Sequence, residues 1–302
     1  MSLSPSARAD LLLLFVTLIA GAGWIFSKEA LQEMPPLLFI GVRFLLAGLL
    51  LLIPAFRGCQ ALFQHGLIPV LRLGILMTGA LLCWIMGLYQ GEHLGEGAFI
   101  TSLGVVIVPL MAWLIYRERA SLSTWLSIPV AIVGLALLSL ESGISLAAGQ
   151  LWFLCAALLF SVHFVLVSRM ALVVPSLVLT AIQLLVVGLG GILASVVMEP
   201  WPDVLSHTAI GWLLASAFIA TSLRFAIQTY AQSLAPASHV ALIMTLEPVW
   251  AALLAAIIYA EVMSPLQLGG CSLIFMAMLA SRWRWLKPLF QPFRSHHSVD
   301  NN

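Results

Sequence analysis

Apolar residues run along this chain in blocks of membrane-crossing length. A transmembrane helix needs about 20 mostly apolar residues. Ten segments meet that need: 10–30, 36–56, 67–89, 96–116, 122–141, 149–168, 176–198, 207–230, 236–259 and 265–285. Polar or Pro/Gly-rich breaks separate them, such as Met34-Pro35-Pro36, Gly91-Glu92-His93, Arg117-Glu118-Arg119 and Glu199-Pro200-Trp201-Pro202-Asp203. The short connections predict a compact antiparallel bundle, an all-α integral membrane protein of ten transmembrane helices without a soluble domain. The polar tail, 288–302, is expected to be cytoplasmic and disordered.

Composition agrees with the pattern. The chain is 62% hydrophobic and 8% charged, against about 25% charged in soluble domains. It cannot cover a water-facing surface, and its partner is a lipid bilayer. A net charge of +1 gives no sign of nucleic-acid binding. Cys59, Cys83, Cys155 and Cys271 have no metal-ligand spacing. No metal site and no cofactor are expected. With the N-terminus in the cytoplasm, Arg8, Arg57, Arg72, Arg117, Arg119, Arg169, Arg282, Arg284, Lys287 and Arg294 all fall inside. That positive-inside distribution predicts that both termini are cytoplasmic. Arg43 and Arg224 remain at membrane depth, and Lys28 falls near the outer side.

The chain also repeats. Ala98–Ser121 aligns with Ala241–Ser264, matching Tyr116 to Tyr259, Glu118 to Glu261 and Gly104 to Glu247. A slightly different offset matches Arg43 to Gln183 and Gly48 to Gly188. Two halves of five helices result, 1–143 and 144–287. Five is odd, so the second half enters the membrane from the opposite side. This is an inverted repeat, an architecture that puts the solute site of many secondary transporters near the midplane between the halves.

The 5+5 layout, the stretch Gly23-Trp24-Ile25-Phe26-Ser27-Lys28 and the two aligned segments resemble the drug/metabolite transporter superfamily, EamA-type branch. The resemblance implies a bacterial inner-membrane protein, a monomer or homodimer, that moves small metabolites, often amino acids or their relatives and usually outward. It implies that helices one to four and six to nine line a central cavity, with five and ten at the periphery. The fourth segment departs from the paired pattern. Its proline is Pro109, and Gly104 stands where the ninth segment has Glu247.

Glu247 is the only formal charge between Val240 and Tyr259, and it precedes Pro248. An ionisable group at the bilayer centre costs about 2.5–3.5 kcal/mol on insertion scales. It is therefore read as a coupling or substrate-binding carboxylate, or else as a packing device at a proline bend. Arg224 lies within about 10 Å of it in depth at 1.5 Å rise per residue. It can form an ion pair, bind a substrate carboxylate or snorkel to the interface. Gln228 shares its helix face. His163 is read as a bundle histidine or as a proton or substrate contact. Arg43 and Gln183 suggest a shared structural role, bonding to loop carbonyls. Lys28 reads as an interfacial lysine. Trp24, Trp84 and Trp250 lie deep, where they stack on a flat solute or fill the bundle. Gly104 and Pro248 are candidate hinges. His239, near the cytoplasmic end of its segment, reads as interfacial.

The leading expectation is an alternating-access exporter of a small polar or aromatic metabolite, proton-linked or facilitative. An importer of a vitamin- or nucleoside-like molecule is the alternative. A membrane-embedded enzyme is disfavoured because neither HExxH nor GxSxG occurs, and no Walker A motif marks a primary pump.

Overall fold

A computed structural model describes residues 5–58, 66–91, 93–117, 122–140, 147–234, 240 and 243–281. Among these no strand occurs. In chain order the helices are α1 (Pro5–Ala30), α2 (Pro36–Ala55), α3 (Leu67–Gln90), α4 (Leu94–Ser102), α5 (Gly104–Tyr116), α6 (Leu122–Leu140), α7 (Ala148–Met170), α8 (Ser176–Met198), α9 (His207–Ala217), α10 (Arg224–Leu234), α11 (Glu247–Tyr259) and α12 (Pro265–Ser281). Among the described residues, seven helical spans are long and apolar enough to cross a membrane, counting α4 with α5 and the run through α9 into α10 as one span each. The shorter apolar helices Trp125–Gly134, Glu247–Tyr259 and Pro265–Ala280 fall in the fifth, ninth and tenth apolar segments. The expected tail, 288–302, and His239 lie outside the described residues.

Three segments are not the continuous helices that their hydropathy suggests. The fourth breaks at Leu103, between α4 and α5. The eighth widens into a π-helical turn, Phe218–Leu223, between α9 and α10. Hydroxyls stabilise that turn from within. Thr221 Oγ1 donates to the Ser216 carbonyl at 2.9 Å and Ser222 Oγ to that of Ala217 at 3.0 Å. In the ninth, α11 starts at Glu247, so Pro248 sits in the first helical turn. A proline there gives up an N–H that has no intrahelical partner anyway. The expected interruption at Pro248 is therefore a break rather than a bend: a turn at Thr245 and Leu246 precedes the new helix.

The matched helices α5 and α11 agree in detail. Each is 13 residues long. Leu103 and Leu246 precede them, and each ends at a left-handed residue, Arg117 (φ 58°) and Ala260 (φ 51°). Another matched pair meets face to face. On α2 and α8, Gly41, Gly48, Gly188 and Gly191 all lie at one crossing. A Cβ on Gly191 would come within 2.7 Å of the Gly41 backbone, and one on Gly48 within 2.8 Å of Leu185 N. Gly188 packs against the backbone of Leu45. With no side chain between them, two apolar helices gain dispersion contact along their backbones. At one margin α6 packs chiefly on α12, where Gly134 meets Ile274 and the Gly270 carbonyl.

Large apolar side chains such as Ile53, Ile75, Leu193, Val197 and Ile257 project from the bundle, each at least 65% exposed. Scattered exposed apolar side chains are normal in soluble proteins, but contiguous exposure on this scale suits lipid. At the end of the bundle where α1 and α11 finish and α2 and α4 begin, carboxylates satisfy helix N-termini across the fold. Glu199 accepts from Leu37 N and Leu38 N at 2.8 and 2.9 Å. Glu261 accepts from Leu94 N and Gly95 N at 3.2 and 3.3 Å. Glu33 accepts from Ser206, the N-cap of α9. Each carboxylate meets orphan N–H groups and the positive end of a helix dipole.

Candidate functional site

A cavity of about 220 Å³ opens between α1, α2, α3, the end of α4, α5, α7, α8, the π-helical turn, α10 and the start of α11. Its walls bring together nine of the residues singled out in the sequence: Trp24, Arg43, Trp84, Gly104, His163, Gln183, Arg224, Gln228 and Glu247. These come from opposite ends of the chain. The helix breaks explain part of the convergence, because α5, α10 and α11 all begin at its wall with Gly104, Arg224 and Glu247.

Glu247 is the centre of the polar network. Arg224 Nη2 donates to its Oε2 at 3.0 Å, and Trp24 Nε1 donates to its Oε1 at 3.2 Å. Both charged side chains retain partial access, 19% for Arg224 and 20% for Glu247. The start of α11 adds orphan N–H groups and a positive dipole end near the carboxylate. Arg224 also lies against the Phe225 ring, 4.8 Å from its centroid. Two buried polar atoms of this wall, Arg224 Nε and Gln228 Oε1, have no hydrogen-bond partner among the described residues. Such atoms are rare, and each calls for a partner of some kind.

Arg43 is not bonded to loop carbonyls, as its symmetry with Gln183 suggested. Its Nε donates to Thr221 Oγ1 at 2.6 Å, Nη1 to Ser27 Oγ at 2.8 Å and Nη2 to the Ala220 carbonyl at 3.5 Å. It thus ties α1 and α2 to the π-helical turn, whose altered register presents Ala220 and Thr221 to it. Gly23 makes the approach possible, since a Cβ there would meet that of Ala220 at 2.9 Å. Gln183 bonds instead to His163 Nε2 at 2.6 Å and, through Nε2, to the Leu179 carbonyl at 3.2 Å. Arg43 and Gln183 are therefore both cavity residues, with different partners.

Trp24, Trp84 and Phe153 form an aromatic layer over one end of the cavity. Trp24 meets Trp84 edge-on at 5.0 Å and Phe153 at 5.7 Å. Trp250 does not join them. It turns from the cavity to pack on α1 at Gly21, and its Nε1 is buried without a partner among the described residues. Of the two alternatives the sequence left open, Trp250 thus takes the packing one in this structure, outside the cavity wall. Lys28 and Pro248 are also absent from the wall. Lys28 Nζ sits 4.5 Å from the Tyr259 ring centroid, in contact with α11.

Several wall residues carried no individual signal in the sequence. Thr180 and Thr229 share a 2.8 Å hydrogen bond between α8 and α10, and Phe44, Phe160, Phe164 and Phe225 supply much of the apolar surface. The Thr221-Ser222 pair inside an apolar run was the one available hint of the π-helical turn. Among the described residues no group of three or more side chains could hold a metal ion.

Three comparisons bear on this arrangement. The EamA-like transporter family model matches the chain twice, over residues 7–140 and 147–283. An uncharacterized transporter of Archaeoglobus fulgidus is 30% identical over 271 residues, 90% of this chain and 84% of that protein. The uncharacterized transporter YvbV of Bacillus subtilis is 27% identical over 212 residues, 69% of this chain and 67% of its own. A solved crystal structure superposes with a TM-score of 0.69 at 19% identity, covering 94% of this chain and 99% of its own.

Proposed function

The chain belongs to the EamA-like transporter family, and from that premise we propose that it is a secondary transporter exporting small metabolites of the amino-acid or related aromatic class through the central cavity. The observation that carries the proposal is the network of Arg224, Glu247 and Trp24 at the cavity wall, with Arg224 and Glu247 at the points where helices begin. Polar groups converging in an apolar hollow make a solute site. Breaks in spanning helices provide dipole ends and hinges beside it. The two family matches, together with the shared length and end geometry of α5 and α11, support two five-helix units, 1–143 and 144–287, as an inverted repeat. The arginine and lysine distribution supports cytoplasmic termini in a bacterial inner membrane.

Glu247 is the coupling group in this reading. When ionised it holds Arg224 and Trp24. A proton on its carboxyl weakens both contacts and frees the arginine, so protonation and cavity shape are linked. The test is flux in proteoliposomes under an imposed pH gradient. Glu247→Gln is expected to abolish the gradient-driven part of transport while leaving the protein folded. An unchanged rate with an unchanged pH dependence would remove Glu247 from coupling.

A further inference from the structure

Resting on the cavity as the solute site, we propose that the solute is a monoanion: a carboxylate on a flat aromatic body, without the ammonium group of an amino acid. Arg43 carries the inference. It is 4% exposed, and its three bonds go to neutral acceptors, Thr221 Oγ1, Ser27 Oγ and the Ala220 carbonyl. Its guanidinium lies 5.6 and 5.4 Å from the centroids of Phe39 and Phe44. The ion pairs Arg224–Glu247 and His93–Glu261 do not include Arg43. Neutral partners fix a guanidinium in place, but they leave its charge uncancelled. The wall therefore holds two arginines against one glutamate.

A zwitterion leaves that imbalance as it is, and a cation worsens it. A single carboxylate closes it. The second observation is the pair of buried atoms without a partner among the described residues, Arg224 Nε and Gln228 Oε1, on side chains one helical turn apart on α10. Arg224 spends Nη2 on Glu247 and keeps a charged donor free for a solute oxygen. The Gln228 amide, turned over, offers a neutral donor beside it. Charge-assisted bonds of this kind are the strong ones. The remaining wall (Trp24, Trp84, Phe44, Phe160, Phe164 and Phe225) presents ring faces suited to a flat apolar body.

Four compounds sharing one ring separate charge from shape: phenylacetate, phenylalanine, phenethylamine and 2-phenylethanol. Thermal unfolding of the purified full-length protein and counterflow in proteoliposomes are measured with each, and with chloride or inorganic phosphate alone. Phenylacetate is expected to raise the melting temperature and to exchange at concentrations at least about tenfold below the other three, a gap of about 1.4 kcal/mol. Arg43→Gln is expected to erase that preference and Arg43→Lys to keep part of it. If these variants fail to fold, the wild-type ratio decides alone. Equal or better response to phenylalanine, phenethylamine or 2-phenylethanol overturns the monoanion and leaves the cavity reading standing. A shift with chloride or phosphate that phenylacetate does not exceed overturns the aromatic carboxylate. Silence from the whole panel overturns both readings.

Discussion

At the residue scale the cavity is held by charges whose contribution depends on their partners. Arg224→Met leaves Glu247 with Trp24 Nε1 alone, and Glu247→Met leaves Arg224 with no carboxylate among the described residues. Each single variant is expected to lose about 1–3 kcal/mol, the range for a hydrogen bond to a charged group and for stranding its partner. The double variant should lose less than the sum, because removing both members of a pair leaves no uncompensated charge. A double-mutant cycle from chemical or thermal unfolding in detergent checks this, and strictly additive losses would show that the pair contributes no coupling. These two residues were legible in the sequence because each is a lone charge in an apolar block. Arg43 was visible for the same reason, but its partners were not. Ser27 and Thr221 are 16 and 178 positions away and look like ordinary helical hydroxyls. Nothing in their spacing marks them as ligands of an arginine.

At the element scale, apolar blocks foretold where helices lie, and two stretches aligned in the sequence both contain 13-residue helices. The match of Gly104 to Glu247 and of Tyr116 to Tyr259 marks the first and last residues of α5 and α11. Interruptions were less legible. Hydropathy averages over a broken segment, so neither the break at Leu103 nor the π-helical turn changes it. Proline was more informative, since Pro248 stands in the first turn after the break in the ninth segment. The match of Gly48 to Gly188 acquires a meaning only when α2 and α8 are seen to cross there. That crossing permits a sharp comparison. Gly188→Val pushes atoms into the Leu45 backbone and is expected to cost at least about 1–3 kcal/mol, the usual penalty of overpacking. Gly211, on α9, has nothing within 4 Å of a built Cβ. Gly211→Ala should be neutral or stabilising by up to about 1 kcal/mol on helix propensity. Melting temperatures of the two variants under one detergent condition decide it, and equal shifts would deny that the crossing depends on glycine.

At the scale of the whole molecule, a set of side-chain contacts gathers at the end of the bundle where α1 and α11 finish. Trp24, Trp84 and Phe153 stand between the cavity and the end where α1 and α11 finish. Beyond them Tyr259 Oη donates to Glu29 at 2.6 Å, Lys28 lies over the Tyr259 ring, and Gln150 bonds to Glu96. Towards the other end the cavity wall reaches Val167, Thr180 and Thr229, each within about a turn or two of its helix terminus. These contacts lie at the Tyr259 end, where α1 and α11 pack along each other, and in the alternating-access reading those two helices separate when that end opens. A two-state transporter responds to any contact made in one state alone. The Tyr259 hydroxyl bond is such a contact, worth about 1 kcal/mol, or about fivefold in the balance between states. Tyr259→Phe keeps the ring under Lys28 and removes only the donor. It should raise the labelling rate of a single cysteine placed by Ser102→Cys in the cavity wall, in a background lacking the native cysteines, when an impermeant thiol reagent is applied from the Tyr259 side. The expected rise is about fivefold. If Tyr259→Phe leaves that rate unchanged, the bond is not part of the seal.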